Sequence, residues 1–183
     1  ESPQHFRDQH EEFGYTASSE NREVAVYYDY HHAWIEYDAS FSVNNAGLVQ
    51  RKDVDPTRSY IVVVGDSFTQ GQGASPWFYE LEKELPALPL ANLGVLGTGV
   101  QHWEKAVDWF QEHVAREEMV VVIFITDDFL RPYWYAKSSP NETRFCYEYY
   151  EGRCSTIFTK LLDKSPLALA QDRHELSRRL GPD

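Results

Sequence analysis

Apolar and polar positions change their rhythm near residue 58. Up to that point aromatic and polar residues alternate without a sustained helical period, and Val24 to Tyr30 and Trp34 to Val43 are expected to form short strands. The Asn44-Asn-Ala-Gly47 stretch has turn chemistry. Ser59-Tyr-Ile-Val-Val-Val64 is a short β-branched run bounded by Gly65, the pattern of a strand buried on both faces. Ser75-Pro76 then predicts a helix start, with Trp77, Leu81 and Leu85 on one face and Pro86 ending the run. A second strand is expected over Leu88 to Leu93, running into Gly94-Val-Leu-Gly-Thr-Gly99. Val100 to Ala115 carries Val100, Trp103, Val107, Phe110 and Val114 at helical spacing. Met119 to Ile125, seven apolar residues in a row, predicts a third buried strand.

Strands that alternate with helices call for a parallel sheet with crossover helices, hence an α/β protein in three α/β/α layers. We divide the chain into an N-terminal hairpin-like extension over 1–58, packed on the domain, and the α/β domain over 59–183. Beyond Asp128 the pattern is irregular to about Ser155, followed by two weaker helical stretches, Ser155 to Lys164 and Pro166 to Leu180.

Composition narrows the function classes. The 183 residues include 17 Lys+Arg and 29 Asp+Glu, a formal net charge of −12. Such a balance argues against a nucleic-acid partner, whose affinity rests on phosphate neutralisation, and against an anionic membrane surface. The longest apolar run is far short of the roughly 20 residues that cross a bilayer, so no membrane span is expected. Glu1 to Arg7 has neither the basic nor the apolar region of a signal peptide. Two cysteines, Cys146 and Cys154, close one short tyrosine-rich loop, which suits a disulfide in an exported protein; reduced thiols in a cytosolic one are the alternative. No Cys/His spacing suggests a metal, and no cofactor is expected.

In open α/β sheets ligands bind beyond the carboxyl ends of the strands. Three segments are expected there: Gly65-Asp-Ser-Phe-Thr69, Asn92 to Gly99, and Thr126-Asp-Asp128. A serine at a strand-to-helix turn presents its hydroxyl and its own N–H to one cleft, and a nearby glycine admits a second N–H. These are the parts of acyl transfer: an oxygen nucleophile, Ser67, and amide donors, from Ser67 and Gly97, for a tetrahedral oxyanion.

At these residues the chain resembles the SGNH/GDSL hydrolase family. Val62-Val-Val-Gly-Asp-Ser-Phe-Thr69 is similar to its first block, Asn92-Leu-Gly-Val-Leu-Gly97 to its second, and Val43-Asn-Asn-Ala-Gly47 to the Asn-x-x-Gly turn that precedes the nucleophile strand in several bacterial branches. The resemblance covers roughly residues 25–132. It implies a flavodoxin-like fold and a metal-free esterase, lipase or carbohydrate deacetylase, with Ser67 as nucleophile and Gly97 as oxyanion donor. A small-molecule or glycan ester would be the partner.

Two places depart from the family. Its third block is Gly-x-Asn-Asp, and here Asp127 stands where an asparagine amide would donate. A carboxylate accepts only, so Asp127 is held protonated, or Thr126 supplies the donor, or the hole is defective. The fourth block, Asp-x-x-His, does not occur after Ser67. Asp172-Arg-His174 is one residue short of it and offers His174 as base and Asp172 as its orienting acid. Asp29-Tyr-His-His32 has the spacing but lies upstream, and His102 sits just after the glycine loop. The missing block fits a chain that stops before it, an inactive relative, or a base from an unusual position. An O-acetyltransferase would use the same serine, and an inactive domain would bind a glycan or protein.

Asp66, Asn92, Arg131, Tyr133 and Trp134 complete the candidate substrate-binding set. The aromatic residues, with Tyr147, Tyr149 and Tyr150, offer flat faces for a sugar ring, or else pack the segment onto the domain. Asp66 equally suits a turn-tying role, and Arg131 a salt bridge. Asn141-Glu-Thr143 has glycosylation spacing.

Overall fold

A computed structural model describes residues 14–15, 17–28, 33–131, 133–139, 142–147 and 154–159. Two antiparallel strands come first, β1 (Ser19–Tyr28) and β2 (Ala33–Val43), with a register shift at Ala25/Val26. Asn44 then organises the turn: its Oδ1 accepts from the amides of Ala46 and Leu48, both at 3.0 Å, and Gly47 takes φ 80°, open to a residue without Cβ.

The centre is a three-stranded parallel sheet. Its strands are β3 (Ser59–Gly65), β4 (Leu90–Asn92) and β5 (Arg116–Ile123), in the order β4-β3-β5. A four-residue helix, α1 (Ser67–Gln70), follows β3 directly. The next two, α2 (Phe78–Glu84) and α3 (Val100–His113), belong to the two crossovers. Side chains of a strand alternate between faces. Val63 meets Phe78 and Leu90 on one side, while Tyr60, Val62 and Val64 meet Trp103, Ala106 and Phe110 of α3 on the other. The two helices therefore flank β3 on opposite faces, which gives an α/β sheet with a helix on each side. No helix among the described residues is long and apolar enough to cross a membrane.

Several expectations change. α2 starts from Trp77 rather than Ser75 and buries Phe78, Tyr79 and Glu82, while Trp77 and Leu85 are exposed. The apolar face is turned by one residue from the predicted one, because Trp77 reaches outward to donate its indole N–H to the Phe68 carbonyl at 2.9 Å. On α3 the predicted stripe is buried at Trp103 and Phe110, but Val100, at the first turn, is exposed. The largest difference concerns β5. Its apolar residues from Met119 to Ile123 are 37–55 % exposed: none of them joins the buried cluster beneath α3, and β5 pairs on one edge alone among the described residues.

Beyond Asp128 the chain is not irregular. After a 3₁₀ turn (Thr126–Leu130), three antiparallel strands follow: β6 (Trp134–Ser139), β7 (Glu142–Tyr147) and β8 (Cys154–Thr159). The helix expected from Ser155 is a strand at its start, and the one expected over Pro166 to Leu180 lies outside the described residues. Register pairs Cys146 directly with Cys154 across β7 and β8. Opposed residues of antiparallel strands have Cα atoms about 4.5–5.5 Å apart, within the span of a disulfide.

The N-terminal segment is built into the domain. Tyr15, Phe41, Val43 and Val49 pack with Tyr79 of α2, and the Tyr79 hydroxyl bonds the backbone of Ser42 in both directions. Buried Glu82 accepts from the amides of Arg51 and Lys52 at 3.0 and 2.8 Å. Gln50 accepts from the Asn92 amide of β4 at 2.9 Å.

Candidate functional site

The site lies where strand order reverses. The crossovers to β4 and to β5 run to opposite sides of β3, so this is the end of the sheet where open α/β proteins take their ligands. Ser67 stands there as the first residue of α1. Asp66 caps that helix by accepting from the Phe68 amide at 2.9 Å, and Gly71, at φ 86°, ends it after a single turn. The result is a half-buried Ser67 between a buried Asp66 and a Phe68 that is 66 % exposed.

The three segments expected at the rim interlock there. Asn92, buried at the end of β4, donates through Nδ2 to the carbonyls of Val49 and Thr69, and its Oδ1 takes the Gly94 amide. Gly94 lies so close to α1 that any Cβ would meet the Gln70 amide. The Gln70 carboxamide is buried as well, donating to the Tyr15 hydroxyl and accepting from the Leu96 amide. The Thr98 hydroxyl donates to the Gly65 carbonyl at 3.0 Å. Gly97 is half-buried in the left-handed region, φ 71°, at the turn of this loop.

Arg131 is the cation that joins these loops. Its Nη1 lies 2.7 Å from Asp128 Oδ1, and donates to Asp66 Oδ2 and to the Thr98 carbonyl, each at 3.1 Å. The approach to Asp128 is an ion pair off the hydrogen-bond line. Asp128 turns its other oxygen to the Ile125 amide at 2.9 Å. Both carboxylates are buried, so the shared guanidinium supplies the opposite charge that burial demands. One residue from beyond β5 thus holds the turn after β3, the loop after β4 and the turn after β5.

Ser67 opens onto a cleft of about 410 Å³ lined by Glu36, Tyr37, Ser67, Phe68, Gln72 and Gly73. Its wall comes from β2. The Tyr37 ring lies over Gly73, and Gln72 Nε2 donates to the Tyr37 hydroxyl at 2.7 Å and to Glu23 at 2.8 Å. Partial burial, reinforced by the neighbouring Glu23 carboxylate, pushes the Tyr37 phenol up to about 12.

The remaining candidates divide. Asp66 and Asn92 spend their polar atoms on the protein backbone and on Arg131, and Arg131 Nη1 meets the two carboxylates and the Thr98 carbonyl; all three position the loops. Tyr133 is 1 % exposed, packed on His102 with ring centres 4.6 Å apart and under the Lys105 ammonium, so it packs and does not wall the cleft. His102 is buried too, its Nδ1 accepting from the Gly99 amide at 3.2 Å, and is a core group. Asp127 and Thr126 are exposed on the 3₁₀ turn. Trp134 and Tyr147 contribute backbone to β6 and β7. Asp29, His32, Asn141, Tyr149, Tyr150, Asp172 and His174 lie outside the described residues.

Sequence reasoning missed Tyr37, Glu36 and Gln72 as cleft groups and Gln70 and Gln50 as staples. The aromatic band from Tyr27 to Tyr37 was the available signal for the first of these. Comparison of the chain with protein-family models, with curated proteins and with solved structures found no match.

Proposed function

We propose that the chain is a serine esterase or deacetylase domain of the SGNH type, acting on O-acyl esters such as those of carbohydrates, with a flavodoxin-like arrangement of its sheet. The observation that carries this reading is the place of Ser67: first residue of a one-turn helix, directly after the central parallel strand, half-buried, and opening onto the cleft. In this mechanism the Ser67 hydroxyl attacks the ester carbonyl and the N–H groups of Ser67 and Gly97 receive the oxyanion. The alcohol leaves, taking up the proton that a base removed from Ser67; water then attacks the acyl-enzyme and frees serine and acid. His174 with Asp172, both outside the described residues, is the base that the sequence offers. The rigid rim serves this chemistry, because donors fixed in advance need no reorganisation as charge develops.

The Cys146–Cys154 register supports a disulfide and hence an exported, oxidising setting. A second reading, an inactive SGNH-like domain that binds a glycan or protein, is favoured by Asp127, an exposed acceptor-only group at the third-block position. An O-acetyltransferase, with a sugar hydroxyl in place of water, is the third. Labelling with a fluorophosphonate probe and peptide mapping decides among them. Modification of Ser67, absent in Ser67→Ala, supports the enzyme; an unmodified Ser67 supports the binding domain. Acyl transfer from p-nitrophenyl acetate to an added sugar then separates transferase from hydrolase.

A further inference from the structure

The cleft beside Ser67 carries a charge pattern of its own. Its β2 wall presents Glu36, and Glu23 stands behind Tyr37, tied to it through Gln72. Phe68, largely exposed, and Ser67 itself line the same cleft. None of the lining residues is basic. Three arginines of the described residues are paired elsewhere: Arg22 with Asp38, Arg51 over the Tyr79 ring, and Arg131 with Asp66 and Asp128. A carboxylate with two aromatic faces is the surrounding that ammonium groups take up in water, through charge attraction and the negative faces of the rings. Tyr37 is held in place by its seat over Gly73 and by Gln72, and needs no rearrangement to line the cleft.

We propose that this cleft binds the alcohol part of the ester through a positive charge, so that esters of ammonium-bearing alcohols are preferred over neutral esters of the same shape. The word ester rests on the function proposed above; the charge preference rests on the cleft alone. Glu36 is the specificity-determining residue, with Tyr37 and Phe68 as the aromatic faces.

Choline and 3,3-dimethylbutan-1-ol, equal in shape and different in charge, test this with the full chain. Trp77, bonded to the Phe68 carbonyl, reports binding by fluorescence. Choline is expected to bind about fivefold more tightly at low ionic strength, the size of one charge pair at a wet surface. That ratio is expected to fall towards one in 0.5 M salt and in Glu36→Gln. The acetate esters of the two alcohols should show the same ratio in kcat/KM. Equal binding, weaker binding of choline, binding of neither alcohol, or a ratio that Glu36→Gln leaves intact would each overturn the proposal. Charge-selective binding without fluorophosphonate labelling of Ser67 would instead remove the esterase reading and leave the cleft's preference standing.

Discussion

β4 and β5 are the two outer strands of one parallel sheet, and they meet opposite surroundings. β4 has three residues and buries all of them, whereas β5 has eight and exposes nearly its whole length. On the β4 side, Gln50 takes the Asn92 amide, Glu82 ties down Arg51 and Lys52, and the packing of Phe41 and Tyr79 brings the hairpin along. Polar side chains aimed at backbone groups close that flank. The β5 flank has valines and no such staples among the described residues. A run of valines states a strand's need for burial; the neighbours decide whether the need is met.

The sharpest test sets two register partners against each other. Val62 of β3 is 0 % exposed and faces Val120 of β5, which is 42 % exposed. Val62→Asp is expected to cost more than about 4 kcal/mol and prevent folding, because an unpaired charge would sit in the core. Val120→Asp should cost about 1 kcal/mol or less in urea unfolding. Equal losses would mean that β5 is covered in solution, and the contrast between the flanks would be gone.

Arg131→Gln probes the connection between the flanks. It leaves Asp66 and Asp128 buried without a cation, at about 3 kcal/mol. Amide exchange in β5 should accelerate more than in β4, which keeps its own staples. Glu82→Ala makes the converse change: two amides lose their acceptor, for about 2 kcal/mol, and β4 should be the strand that loosens. A smaller effect concerns the hairpin. Tyr37 ionises near 12 when folded and near 10 in a free chain, so between these values the unfolded state holds fewer protons. Stability should therefore be unaffected by this group below pH 10 and fall as pH rises through 12. Tyr37→Phe should flatten that decline, and phenolate absorbance should show the missing late titration.

The strands up to β5 and α3 were legible because their signals are local. Ser59 to Val64 reads as a strand whatever packs on it, and Trp103 and Phe110 stand two turns apart on one helix face. The exposure of β5 was not legible, since burial depends on neighbours and not on the run itself. The sheet of β6, β7 and β8 did leave a trace: Pro140-Asn141 and Gly152 punctuate stretches rich in aromatic and β-branched residues, but little strict alternation marks them. At the site, the Gly-Asp-Ser turn located Ser67, yet the staples were invisible. Gln50, Gln70 and Glu82 bond backbone amides 26 to 42 residues away, and a backbone amide has no letter in the sequence. The role of Arg131 was open for the same reason, as its carboxylate Asp66 is 65 residues distant.

The open flank also sets conditions for handling the protein. Seven apolar residues from Met119 to Ile125 combine high strand propensity with no charge, the make-up of segments that stack into fibrils. Arg116, Glu117 and Glu118 stand before them and Asp127 and Asp128 after, charged guards at both ends of the run. With Asp128 buried and paired with Arg131, the exposed guard on the far end is Asp127. Precipitation on storage should begin there, at the strand edge that pairs with no second neighbour among the described residues.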